Sequence, residues 1–333
     1  MRPTFSIILP VHNGGTLVQA CVRSILAQTV TDFELLVLDN ASTDGTSAWI
    51  QSLNDPRISI FPSSHKLSMV DNWGRVKDVP KAEFMTLIGH DDLLEPNYLE
   101  IMQALIRKHP NASLYQTHYT LIDANGLPIR PCLPMDEVQT GYEFLACHMA
   151  QTMDSMGTGY LFRSRDYDAL GGIPTHYPNL IFADYELWIR LSSISYKASS
   201  PQTGFQYRIH QSVSRQTNGE QYQEAFGQYV MFMSELAKQC TDTKRVVVRY
   251  GHQMLMYYCE SLSHRLLKTP IGMRTLKVDD FIQKCRGYAN LLIPEQKFEP
   301  EQKFRIRVAG MLDRYALART LFNALRPILL GKP

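Results

Sequence analysis

The chain has 333 residues, 44% of them hydrophobic and 20% charged, with a formal net charge of +2 at pH 7. This composition fits a folded protein with a sizeable core, either one large domain or one domain with a helical appendage, and excludes a disordered chain. So small a net charge gives no general case for nucleic-acid binding.

The N-terminal third alternates in type. "FSIILPV" (Phe5 to Val11) is an apolar run stopped by Pro10 and "HNGG", the pattern of a buried strand and a loop. Thr16 to Gln28 place Leu17, Cys21, Ile25 and Leu26 on one helical face. "FELLVLDNAS" predicts a second buried strand, and "STDGTSAWIQSL" a helix with Ser42, Thr43 or Asp44 as its cap. "ISIFPS" is a third strand, Ser68 to Lys77 a short helix around Asn72, and "FMTLIG" a fourth strand. The helix "PNYLEIMQALIRKHP" follows, with Pro96 near its start. Strands and helices alternating at this spacing predict an α/β fold, a mostly parallel sheet with helices on both faces.

After Ser113 the pattern changes. "ASLYQTHYTLIDANG" is a strand ending in an Asn125-Gly126 turn. "MGTGYLFRSRDYDALGGIP" is a Gly-rich strand and a short helix, and "ADYELWIRLSSI" an amphipathic helix. "KASSPQTGFQYRIHQSVSRQ" holds another strand and a polar loop, and from Gly219 onward the chain reads mainly as helices. The expected division is one domain over 1–215, made of a first half (1–112) and a second half (113–215), then a helical region over 216–333.

The six cysteines, Cys21, Cys132, Cys147, Cys240, Cys259 and Cys285, are scattered without a C-x-x-C pair. That argues against a zinc cluster or a disulfide framework and favours a reducing compartment. The N-terminus lacks the apolar region and cleavage site of a signal peptide, and no apolar run reaches the ~20 residues of a membrane span. A cytoplasmic protein is expected.

In an open parallel sheet, ligands bind at the carboxyl ends of the strands. Those ends carry "PVHN", "LDNASTDGT" and "GHDD", and none is a dinucleotide or P-loop fingerprint. Acids at several strand ends suit a base, a ribose and a divalent cation on a diphosphate. The adjacent carboxylates Asp91 and Asp92 repel each other unless a cation or strong donors sit beside them. The plain alternative is a capping turn before the Pro96 helix.

From Phe5 to about residue 215 the chain resembles the family 2 glycosyltransferases, which use nucleotide-diphospho-sugars on the GT-A fold. The resemblance rests on Pro10-Val11-His12-Asn13, Ser24, Gln28, Glu34, Asp39 to Gly45, Asn72, His90-Asp91-Asp92, Pro96 and Asp184 to Leu191, in that order. It implies that Pro10, His12, Asn13, Asp39 and Asn72 bind the donor nucleotide. It implies that Asp92 holds Mg²⁺ or Mn²⁺, with Asp91 on the ribose or a metal-bound water. Asp184 would be the catalytic base of an inverting transfer, deprotonating the acceptor hydroxyl. Arg208 would contact the diphosphate and His210 the metal or a phosphate. Gly157 and Gly159 would let an acceptor sugar approach the backbone, and Glu186 is a second acceptor-side acid. The chain departs from the family pattern at Gly89 and Ala183, where many members carry an acid.

The activity implied is transfer from a nucleotide-diphospho-sugar, expected to be a UDP-sugar, to a glycan or lipid-linked glycan in cell-surface polysaccharide synthesis. The competing readings are a degenerate sugar-nucleotide-binding scaffold and a nucleotidyltransferase; the latter usually has a basic Gly-rich first loop, and "PVHNGGTL" has no Lys or Arg. Residues 303–330 read as a basic amphipathic helix with an apolar tail, suited to an anionic membrane at its inner face or to packing within the protein or against a second copy.

Overall fold

The computed structural model describes residues 3–209 and 217–329, with side chains to residue 325. The chain divides into two units, Met1–Ser212 and Val213–Pro333.

The N-terminal unit is built on one sheet. β1 (Phe5–Val11), β2 (Phe33–Asp39), β3 (Ile58–Ile60) and β4 (Phe84–Leu87) come from the predicted apolar runs; β5 (Leu93–Leu94) follows the acid pair. Further along are β6 (Leu114–Ile122), β7 (Pro128–Pro131), β8 (Val138–Thr140), β9 (Leu161–Arg163) and β10 (Tyr196–Arg208). The main path is β3-β2-β1-β4-β9-β6-β10-β5, with β7 on β6 and β8 on β10. β1, β2, β3 and β4 pair parallel, as do β6 and β10, whereas β9 runs antiparallel to both its neighbours, β4 and β6. The helices of this unit are α1 (Gly15–Leu26), α2 (Thr46–Ser52), α3 (Met69–Gly74), α4 (Tyr98–Lys108), α5 (Gly141–Ala150), α6 (Ser164–Ala169) and α7 (Ala183–Ile194).

β1 is buried along its whole length, as a parallel strand covered on both faces must be. α1 buries Val18, Cys21, Val22 and Ile25. The expected face is therefore rotated: Cys21 and Ile25 are buried, but Val18 and Val22 replace Leu17 and Leu26. The cap of α2 also differs. Its N-cap is Gly45 at φ +87°, and Asp44 instead accepts from the N–H of Thr46 at 3.0 Å. β7, β8 and α5 fill the stretch between the Asn125-Gly126 turn and Met156. α5 starts with a full capping box between Thr140 and Glu143. Trp188 is buried against Tyr160 and Phe162, at centroid distances of 4.6 and 5.6 Å.

The C-terminal unit is helical: α8 (Gly219–Gln239), α9 (Thr241–Lys268), α10 (Val278–Leu292), α11 (Phe304–Arg314) and α12 (Ala316–Leu329). Buried Arg274 and Asp313 form an ion pair, and Asp313 also accepts from the N–H of Val278 at 2.9 Å. The single basic helix expected over the C-terminus is broken at Tyr315, whose backbone is extended. α11 turns Ile306, Ala309, Gly310 and Asp313 inward, while α12 is exposed along most of its length.

Gly159 leads into β9 at φ +82°, and a Cβ there would stand 2.8 Å from Phe205. Its N–H donates to the Leu87 carbonyl at 3.0 Å, stitching this segment to the end of β4. Strain and overpacking together set the expectation that Gly159→Ala loses about 2–4 kcal/mol of stability. Urea unfolding monitored by circular dichroism checks this; a loss near zero would mean that Phe205 has room to move.

Candidate active site

β1, β2 and β4 run parallel, so their carboxyl ends open on one side of the sheet. There the turn Ile88 to Asp92 carries the acid pair. Asp92 is 3% exposed. Its Oδ2 accepts from the Thr158 hydroxyl at 2.8 Å and its Oδ1 from the backbone N–H of Arg208 at 2.9 Å. Burial first, and the charge of Asp91 second, push its carboxyl well above the ordinary range, against the opposing pull of these donors.

Gly89 explains how the pair fits. A Cβ at this position would lie 2.7 Å from Asp91 Oδ1 and 3.1 Å from Asp92 Oδ2. Both carboxylate oxygens thus face the small space that a side chain at 89 would fill. The family's additional acid is not simply missing: its place is taken by the two that follow. Two such oxygens suit a hard divalent cation. Among the described residues no group of three or more His, Cys, Asp or Glu side chains is gathered as a metal cage.

Arg208 reaches the pair by an unexpected route. Its Nε donates to the Asp91 carbonyl at 2.7 Å, and its Nη1 to the carbonyls of Asp123 and Ala124 at 2.9 and 3.2 Å. The buried guanidinium clasps the acid turn to the β6–β7 turn, where the resemblance implied a phosphate partner. His210 lies outside the described residues.

Asp184 stands in the first turn of α7, half-buried and ringed by protein, and burial pushes its pKa up to about 6. A Cβ at Gly157 would be 3.3 Å from its Oδ2. Gly157 thus abuts Asp184 while the next residue, Thr158, bonds Asp92. Thr158 is the site residue that sequence reasoning missed; the small-residue run around it pointed at the segment without singling it out. Glu186 is brought to a different place. It accepts from the Tyr177 hydroxyl at 2.7 Å and pairs with Arg190 at 3.3 Å. Ala183 is 0% exposed, which leaves that position closed to a glutamate side chain. Gly159 has the packing role described above.

The remaining candidates gather at the ends of β1 and β2. Pro10 is buried within β1, and the His12 ring Nδ1 is 2.9 Å from the Asn40 carbonyl. Asn13, at φ +51°, accepts from the Thr43 N–H at 2.8 Å, and its own N–H donates to the Ser42 hydroxyl at 2.9 Å. Asp39 is buried, with Oδ1 accepting from the Ser42 N–H at 3.3 Å. Buried Asn72 accepts from Arg75 at 3.0 Å, and Arg75 also donates to the Phe61 carbonyl at 2.7 Å. Asn72 and Arg75 thus brace the end of β2 from below.

The family model for glycosyl transferase family 2 matches residues 6–160. The N-terminal unit belongs to glycosyltransferase family 2. An uncharacterised glycosyltransferase of Rickettsia typhi is 25% identical over 245 residues, covering 71% of this chain and 74% of that one. WfgD of Escherichia coli, a UDP-Glc:alpha-D-GlcNAc-diphosphoundecaprenol beta-1,3-glucosyltransferase, is 26% identical over 210 residues, 62% of this chain and 78% of WfgD. Among solved structures, S. aureus TarS 1–349 with UDP-GlcNAc aligns at TM-score 0.64 and 13% identity, covering 99% of this chain and 92% of that one. The Pyrobaculum calidifontis mannosyltransferase PcManGT with GDP-Man and Mn²⁺ aligns at TM-score 0.52 and 14% identity, covering 98% and 88%. The fold of this glycosyltransferase is GT-A.

Two substitutions probe the pair. Thr158→Val keeps the volume but removes the donor to Asp92, and should weaken cation-dependent donor binding about 10- to 100-fold. Gly89→Ala pushes a methyl group against both carboxylates and should weaken it by a similar factor, about tenfold or more. Calorimetric titration with a UDP-sugar and Mn²⁺ reads both; unchanged affinity in either would show that the pair does not use this space.

Proposed function

We propose that this glycosyltransferase is inverting and divalent-cation-dependent, and that it moves a sugar from a UDP-sugar to a hydroxyl of a glycan or lipid-linked glycan in cell-surface polysaccharide synthesis. The observation that carries the reading is the pair of consecutive residues Gly157 and Thr158. The Thr158 hydroxyl bonds Asp92 while the missing side chain of Gly157 leaves space directly beside the carboxylate of the base candidate Asp184. The complexes of TarS with UDP-GlcNAc and of PcManGT with GDP-Man and Mn²⁺, and the lipid-diphosphate acceptor in the name of WfgD, support the substrate classes.

Residues 1–112 hold the donor nucleotide in this reading, with Pro10, His12, Asn13 and Asp39 around base and ribose and Asn72 bracing them. Residues 113–215 present the acceptor and the base. Asp92, with Asp91, would hold Mg²⁺ or Mn²⁺; such an ion neutralises the diphosphate as leaving group when bound. Arg208 fixes the acid turn. Asp184 takes the proton of the attacking hydroxyl as that oxygen closes on the anomeric carbon. Gly157 leaves open the approach to its carboxylate. The protein works in the cytoplasm, at the inner face of the membrane that carries its acceptor.

Asp184→Asn should lower transfer by at least about 100-fold while donor binding stays near wild type. Loss of donor binding instead would sink the base assignment. Protonation removes the base below a pKa of about 6, so kcat should fall about tenfold per pH unit on the acid side and level off above it. Stability carries the opposite sign. A folded pKa raised above the unfolded value means that stability falls as pH rises from about 4 to about 6, the interval in which the unfolded carboxyl ionises and the folded one does not. Asp184→Asn should therefore raise the Tm most at pH 8, by less at about pH 5, and hardly at all below about pH 4. A panel of nucleotide sugars incubated with divalent ions identifies the donor by its hydrolysis. If none is bound, hydrolysed or transferred, a sugar-nucleotide-binding scaffold is the better reading.

A further inference from the structure

The C-terminal unit exposes an apolar row that nothing in its own fold covers. Leu317, Leu321 and Leu325 stand four residues apart on α12 and are 81%, 59% and 48% exposed. Spacing of i, i+4, i+8 puts them on one stripe of the helix. α11, by contrast, spends Ile306 and Ala309 on the interior of the unit. The break at Tyr315 thus separates a packed helix from one whose apolar side is unused.

Charge indicates what covers the stripe. Residues 303–333 contain seven Lys and Arg against one acid, Asp313. That acid is buried against Arg274, so the exposed charge of the segment is all positive. Arg319 turns inward onto Asp313 at 3.7 Å, while Arg314 leans on Asp279 and Lys303 and Arg305 share Glu260, surface contacts that screen the last three cations only in part. A second copy laid on the stripe would bring two cationic segments together. An anionic bilayer accepts the apolar row and the cations at once. The helix is ~21 Å long. No helix among the described residues is long and apolar enough to cross a membrane.

We propose that α12 lies on anionic phospholipid surfaces through Leu317, Leu321 and Leu325, with the neighbouring cations at the headgroups. This rests on the reading that the acceptor is lipid-linked: the helix would bring the enzyme to the surface that holds it. Single exposed leucines are ordinary, but three aligned on one helix, in a segment with seven Lys and Arg and one acid, are not.

The test is flotation of the full-length protein with vesicles of phosphatidylcholine alone, or with about 30% phosphatidylglycerol. Wild type should float with the anionic vesicles, less with the neutral ones, and less as salt is added. Leu317→Asp combined with Leu321→Asp should cut the bound fraction at least about tenfold, with circular dichroism and donor hydrolysis unchanged. Wild type that stays at the bottom, or a double variant that floats equally well, overturns the proposal. A wild-type dimer in sedimentation that the double variant dissolves, without vesicle binding, overturns it in favour of a second copy. Donor hydrolysis separates the two levels. Hydrolysis without flotation removes only the membrane contact, whereas absence of both removes the glycosyltransfer reading beneath it.

Discussion

Two carboxylates on consecutive residues, folded into the space above Gly89, are the constraint on which the rest of the site depends. Two unit charges about 4 Å apart repel by about 4 kcal/mol at an effective dielectric near 20. A hydrogen bond to an ionised group returns about 1.5–3 kcal/mol. Asp92 receives two, from the Thr158 hydroxyl and the Arg208 N–H, so the pair is roughly balanced before burial is counted. Burial then tips it, and its carboxyl is held well above the ordinary range. Arg208 opposes the rise only in part, because its guanidinium is turned onto carbonyls of Asp91, Asp123 and Ala124. The protein fixes the backbone of the turn through the Arg208 side chain and holds two carboxylate oxygens over Gly89, an arrangement of hard oxygen donors.

Holding that turn is what the mixed half of the sheet contributes. β4 enters it, and β5 leaves it to pair antiparallel with β10 through Leu94 and Phe205. The next residue continues the seam: Glu95 donates its N–H to the Gly204 carbonyl at 2.9 Å, and its side chain accepts from Gln206 at 2.7 Å. β10 ends at Arg208, whose N–H grips Asp92. The segment 157–159 closes the third side, tied to β4 by Gly159 and to the pair by Thr158. A purely parallel sheet would not bring the end of β10 and the lead-in to β9 to the same turn. The antiparallel β9 between β4 and β6 is what joins the two halves.

The parallel half was legible in the sequence because β1, β2 and β4 are buried along nearly their whole length and read as continuous apolar runs. β1 and β2 needed no partner to be recognised. β5, β7 and β8 were not, since they have at most four residues each and β7 is exposed throughout. They exist because neighbouring strands offer them edges, and no local period records that. The start of α5 was readable, for Thr140 and Glu143 make a capping box, but α5 carries little amphipathic contrast to draw the eye. At the site, residue types announced the acids; their partners were silent. Thr158 gains its meaning only when β9 places it beside Asp92. Arg208 sits where the resemblance expects a cation, yet which groups its guanidinium meets is a matter of three-dimensional placement. Gly89 looked like a loss on paper, and only the positions of the oxygens around it show why no side chain fits.

The first turn of α7 shows how one helix end can assign two acids different work. Glu186 and Asp184 are two residues apart and therefore point to different sides. Glu186 is fully engaged, with Tyr177 on one oxygen and Arg190 on the other. Its charge is matched, and its place is to hold α7 against the segment carrying Tyr177. Asp184 has backbone N–H groups at the helix start to offset its burial, but no ion-pair partner among the described residues. An unmatched carboxylate costs stability, and a fold that wanted only stability would place an amide there. The same position gives Asp184 a proton affinity close to neutral, where a base can both take a proton from a hydroxyl and release it again. Environment separates the two acids into one held in a matched pair and one whose proton affinity is raised toward neutral, and no side chain at 157 stands against the second.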